Sequence, residues 1–258
     1  MEFRENNWDV KKLFRLMLTS ATYRQSARAT VAKIDKDPSN RLLSRGPRFR
    51  LDAEVIRDQA LSASGLLVPK IGGPSVKPYQ PDGVWEAVAM IGSNTRDYRR
   101  DKGENLYRRS MYTFWKRSAP PASMEVLNAP NRETCTVRRE RTNTPLQALV
   151  TLNDPQFVEA ARVLASQVLA DKALASDSDR LNALARRVLA RDFHADELVI
   201  LSESLADLRR RYAADPADAE KLSTVGDHPV QGALDRKELA SFTMMANLML
   251  NLDEVLNK

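Results

Sequence analysis

Apolar residues recur at helical spacing over most of this chain, and Pro and Gly break the pattern at defined places. Trp8, Leu13, Leu16, Met17 and Ser20 share one helical face, which predicts an amphipathic helix from about Asp9. A second helix is signed at both ends. Asp52 stands as its N-cap, Val55, Ile56, Ala60 and Leu61 form its stripe, and Gly65 closes it. Between the two, Pro38 and Pro47 interrupt any continuous helix, so 37–50 reads as a loop.

Across 66–132 the pattern changes. VPKIGGPSVKPYQPDGVW carries four prolines and three glycines, a composition for turns and extended chain over a surface. A short helix is predicted over 84–90, with Asp82 as cap. LYRRSMYTFWKR, at 106–117, fits both a strand, by its aromatic content, and a helix, by the face shared among Tyr107, Met111, Phe114 and Trp115. The helical surroundings favour helix; a short strand or hairpin is the alternative.

From residue 141 onward helix punctuation is dense. Thr144-Pro145-Leu146-Gln147 is a capping box with Pro at the first helical position, where its missing donor matters least. Leu146, Leu149, Val150 and Leu152 are expected to form the buried face of that helix. Asn153 and Asp154 end it, and Asp154-Pro155 starts the next, with Phe157, Ala161, Leu164, Val168 and Leu169 as its stripe. Further helices are predicted near 179–190, 195–212 and 234–256. A polar loop is expected at 215–232, and Leu239, Phe242, Met245, Ala246, Met249 and Leu250 as a buried face. The fold class is therefore mainly α: one multi-helix domain over 1–258, with 66–132 as an irregular, insertion-like segment inside it.

Composition narrows the function. Hydrophobic residues at 43% and charged residues at 29% are those of a globular protein. The 9 glycines and 6% aromatics argue against an all-β sandwich. No apolar run approaches the ~20 residues that span a bilayer, and the mixed charge of MEFRENNWDVKKLFRLML is not that of a signal peptide. One cysteine, Cys135, excludes an internal disulfide and a Cys-based metal cluster, and is expected as a small packed residue. With His194 and His228 as the only histidines, no metal site is assigned.

Net charge is +6, and most basic clusters have acids nearby in sequence, such as Asp97, Asp101, Glu104, Glu140 and Asp207. That mixture suits solvated faces better than a phosphate-tracking groove, so nucleic-acid binding ranks third among the functions. The chain has no G-x-S-x-G elbow, phosphate-cradling glycine loop or H-E-x-x-H. Paired acids for polysaccharide hydrolysis could be Asp154 with Glu159 or Glu133 with Glu140, yet spacing alone places neither pair, and no catalytic residue is assigned.

Four stretches carry a family resemblance: WDVKKLFRLMLTSATYRQS, DPSNRLLSRGPRFRLDAEVIRDQAL, YTFWKRSAPP and NAPNRETCTVRRERTNTPLQALVTLNDPQFVEAARVLA. They resemble the bacterial domain of unknown function 1553, a planctomycete-type C-terminal module found beside cytochrome-c-like domains in large secreted proteins. LNLDEVLNK at the end is similar to how such chains finish. The resemblance implies an N-terminally truncated piece of a secreted or envelope protein, with upstream domains as partners. It also implies that any haem belongs to a neighbouring domain, so no cofactor is expected here. Family members commonly have Thr-Pro where this chain has His194-Ala195, a weaker cap.

The candidate site is the charged run before the capping box: Arg138, Arg139, Glu140 and Arg141, then Asn143, with Trp115, Lys116 and Arg117 as further candidates. Two duties fit. Arginine forks can pin a long loop by satisfying carboxylates and carbonyls, or they can wall a site for an anion or an anionic polysaccharide. Pinning is the commoner duty of such a cluster, and it ranks first. The functional expectation is a non-catalytic binding or scaffolding module, with a polysaccharide hydrolase as the alternative.

Overall fold

The structure, a computed structural model, describes residues 1–230 and 234–257. It is mainly helical, and among the described residues extended pairing is confined to isolated bridges. Where the sequence reads as one domain, the packing divides the chain into two compact units. One is Met1–Arg50 together with Asn257; the other is Leu51–Leu256.

The first unit holds α1 (Glu2–Glu5), α2 (Val10–Thr19) and α3 (Val31–Lys36). The Asp9 side chain accepts from the Lys12 amide and starts α2 as its sequence predicts. Thr30 does the same for α3, a helix the sequence reading leaves out because only Val31 and Ile34 mark its apolar side. The strongly amphipathic α2 buries none of its residues: Val10, Phe14, Leu16, Met17 and Leu18 all stand about half exposed.

The second unit is built around α7 (Pro155–Ala170). Its sequence stripe suggests one buried face, but Val158, Ala160, Val163 and Ala165 are buried too, so the helix is covered all round. The small Ala160, Ala161 and Ala165 let neighbours approach closely. Against it lie α4 (Ala53–Ala63), α6 (Pro145–Asn153), α8 (Asp177–Val188) and above all α11 (Arg236–Leu250). The predicted α11 face, Leu239 to Leu250, is buried at all six positions. Around α11 pack α9 (Ala195–Ala214) and α10 (Pro216–Ser223), with α12 (Asp253–Leu256) following. The predicted loop at 215–232 thus contains a helix, started by Pro216 and by Asp215 accepting from Asp218; its residues 231 and 232 lie outside the described residues. At the start of α9, the Glu197 carboxylate takes the His194 amide at 2.8 Å, and so strengthens a cap that reads as weak.

Two other expectations change. Over 84–90 the chain makes only a 3₁₀ turn at Glu86–Val88. Residues 106–117 form neither helix nor strand but two 3₁₀ turns, Gly103–Tyr107 and Ser110–Tyr112, with single parallel bridges from Arg108 to Val68 and from Thr113 to Val76. Leu106, Tyr107, Arg108, Ser110 and Thr113 are the buried positions, a spacing that follows neither a helical nor a strand period. Trp85, Tyr98 and Phe114 pack edge-on or tilted at 4.9 and 5.5 Å into a small aromatic core for the segment.

Buried arginines fasten this irregular chain to the helices. Arg57 of α4 is 2% exposed. Its guanidinium donates to the carbonyls of Leu106 and Arg108, to Ser110 Oγ and to Gln156 Oε1, at 2.6–3.1 Å. Burial lowers its pKa to about 10, against the opposing pull of Asp58. Arg108 continues the device, donating to the carbonyls of Lys70, Gly72 and Pro74. On the other side of α7, Arg162 donates to the carbonyls of Val225 and His228, while Glu159 accepts from the His228 amide and the Tyr107 hydroxyl. Gly226 passes so close over Glu159 that a methyl there would overlap the carboxyl group, and its φ is +89°.

Replacing Arg57 by Ala leaves buried carbonyls without donors and is expected to lower stability by about 3 kcal/mol, measured by urea denaturation followed by circular dichroism. Lys is expected not to rescue it, since an ammonium cannot span four acceptors. Gly226→Ala is expected to destabilise by about 2 kcal/mol through backbone strain and the Glu159 overlap; an unchanged urea midpoint would contradict this packing.

Candidate functional site

The capping box forms as its sequence spells it. Gln147 N donates to Thr144 Oγ1 at 3.3 Å and Thr144 N to Gln147 Oε1 at 3.2 Å. Asp154 caps α7 through the Gln156 amide. The Gln147 amide group does more than cap. Its Nε2 reaches the Val126 carbonyl, Asn128 Oδ1 and Thr142 Oγ1, tying α5 (Ala122–Val126) and the loop after it to α6.

That duty inverts the expected face of α6. Gln147 and Thr151 are the buried residues, both 2% exposed, whereas Leu146 and Leu149 are 56% exposed. Thr151 hydrogen-bonds to Asn251, whose amide group also reaches Asn247. A polar seam therefore runs where leucines were expected, because these side chains have partners only inward.

The charged run before the box splits in function. Arg139 forms a two-pronged pair with Glu54, at 2.5 and 3.2 Å, and lies 3.7 Å from Asp52. The hydrogen bonds to Glu54 hold its guanidinium charged above the ordinary arginine range. Asp52, expected as a side-chain cap, makes no such bond to α4. Its carboxylate stands beside Arg139, and the helix start is held from the loop side.

Arg138 has another setting. With Arg139 and Glu140 it walls an open cavity of about 380 Å³, completed by Glu125, Asn128, Asn131, Thr134 and Thr136. Arg141 and Asn143 are exposed and do not line it. The other candidates disperse. Trp115 donates its indole N–H to the Asn131 carbonyl at 2.9 Å and carries Arg132 on its ring at 4.4 Å, next to the cavity. Lys116 turns away, to the Thr95 carbonyl and over the Trp85 ring. Arg117 is exposed, and so is Cys135, which was expected to pack.

Neither proposed acid pair shares a cavity. Glu159 is buried beneath the 225–228 loop, while Asp154 borders an outer cleft; Glu133 does not line the cavity that Glu140 lines. Among the described residues no three His, Cys, Asp or Glu side chains are grouped to hold a metal, and no helix is long and apolar enough to cross a membrane. Several arginines of the basic clusters pair with carboxylates: Arg100 with Asp227, Arg186 with Asp192, Arg209 with Asp177 and Glu238, and Arg211 with Asp218.

A family model described as PSD1, protein of unknown function (DUF1553), matches residues 1–205. The chain belongs to this family. The DUF1553 match takes in the capping boxes, the arginine run and the whole irregular segment, and it ends within α9. No curated protein and no solved structure matches the chain.

If Arg139 is a fastener and Arg138 a cavity wall, they respond differently to removal. Arg139→Ala is expected to lower stability by about 1 kcal/mol and Arg138→Ala by less than about 0.5 kcal/mol, in paired thermal melts. Equal melting of the two variants would remove the distinction.

Proposed function

We propose that this DUF1553 chain is a non-catalytic binding and scaffolding module of a larger secreted or envelope protein, and that its ligand is an anionic saccharide held at the cavity beside Arg138. One observation carries the reading: a cationic wall and a set of neutral hydrogen-bonding groups meet in the same open cavity. Arg138 offers a planar fork to a sulfate or uronate. Asn128, Asn131, Thr134 and Thr136 offer the mixed donors and acceptors that sugar hydroxyls need, and Trp115 lies within reach of the rim through Asn131. Glu125 and Glu140 set limits on where an anion can sit.

The scaffolding half rests on α2, whose half-exposed apolar side chains would be covered by an upstream domain of the parent protein. Any haem belongs to such a neighbour and not to this chain. A polysaccharide hydrolase ranks second, because neither acid pair read from the sequence lines a common cleft. Nucleic-acid binding ranks third, because so many of the basic side chains are committed to carboxylates.

Calorimetric titration with sulfated and uronic-acid oligosaccharides tests the site. Wild type is expected to bind, and Arg138→Ala to bind about ten-fold more weakly with an unchanged melting temperature, a loss of about 1.4 kcal/mol. Absence of binding by wild type, or full binding by Arg138→Ala, would leave the arginine run with its fastening duty alone.

A further inference from the structure

A larger cavity lies away from the arginine run. A cleft of about 720 Å³ opens between residues 79–82, α5 and the joint of α6 with α7, and it shares no lining residue with the Arg138 cavity. Its volume is that of a small-molecule site.

Two features of the lining select a ligand. Tyr79, Pro81, Val126, Leu149, Val150 and Pro155 make it apolar over much of its area. Leu149 is one of the α6 leucines expected to be buried, yet it is half exposed on this cleft. The ionisable lining residues besides Tyr79 are two carboxylates, Asp82 and Asp154; no Lys, Arg or His is present, in a chain of net charge +6. The charged side chains that line the cleft are thus acidic, although Arg100 stacks on the Tyr79 ring at 4.6 Å and the Arg57 charge acts on Asp154, and such a lining suits a cation with an apolar body.

The polar groups agree. Asp154 accepts from the Gln156 amide, and burial nevertheless pushes its carboxyl above the ordinary range, with that amide and the Arg57 charge opposing the shift. Gln80 also lines the cleft, and its Nε2 is buried with no hydrogen-bond partner among the described residues.

We propose that this cleft binds a small ligand bearing a protonated amine on an apolar body, the ammonium held by Asp82 and Asp154 and the body lying against Tyr79, Pro81 and Leu149. An arylalkylamine and an amino sugar share that chemistry. The site is independent of the saccharide reading above, since different residues form it.

The full chain, labelled for amide NMR, would be titrated with 2-phenylethylamine and with glucosamine, and in parallel with 2-phenylethanol and N-acetylglucosamine. Saturable shifts at Tyr79, Val126 and Val150 are expected with at least one amine, and at least ten-fold weaker binding of its neutral counterpart. Which amine saturates identifies the source. Asp82→Asn, at an exposed position, and Asp154→Asn, which keeps an N-cap acceptor for α7, are each expected to weaken amine binding about ten-fold with unchanged melting. No saturable shift with either amine, equal binding of the neutral compounds, or full affinity in Asp82→Asn would overturn the proposal. Asp82→Asn keeps the test decisive even if Asp154→Asn perturbs α7.

Discussion

A fully buried guanidinium is the constraint on which the larger unit depends. The irregular segment at 66–132 has backbone polar groups that no helix or sheet satisfies, and some of them must face the core. Arg57 and Arg108 supply the donors, each collecting several oxygens from one planar fork. The 79–82 wall of the large cleft has fastenings of its own, the Tyr79 hydroxyl accepting from the Asp227 amide and Arg100 stacking on the Tyr79 ring. Arg162 repeats the solution at the 225–228 loop. Buried arginine is thus used here as a donor to backbone and exposed arginine largely as a partner of carboxylates, which is why its abundance is a poor guide to anion binding.

How much of this was legible depended on how local the cause was. The Thr144 box, the Asp154 cap, the start of α2 near Asp9 and the α11 face were readable because each lies within a few residues of chain. The partners of the arginines were not. Arg139 finds Glu54 at 85 residues' separation and Arg57 finds Gln156 at 99, and no spacing rule reaches so far. The inverted face of α6 failed for the same reason: Leu146 and Leu149 were expected inside on hydrophobicity, but the partners of Gln147 and Thr151 lie on α5, its following loop and the end of α11. At the candidate site, residue identity was legible and role was not. Adjacent arginines, 138 and 139, both line the cavity, and Arg139 is in addition committed to an ion pair with Glu54.

Two concave surfaces of opposite character result. The Arg138 cavity is polar, with charges of both signs and neutral hydrogen-bonding groups; the cleft at the α6–α7 joint is largely apolar, with carboxylates. Both border α5, and Gln147 ties that helix to α6. The capping box therefore holds the geometry of both, although it contributes no lining residue to either.

The dominance of α11 over the core has a consequence for what counts as a piece of this protein. The stretch that matches DUF1553 stops at residue 205, whereas α11, which covers the broadest part of α7, begins at Arg236. A fragment cut at the family boundary would lack α11 and leave the face of α7 that it covers open to water. The boundary of shared sequence is therefore not a boundary of autonomous folding.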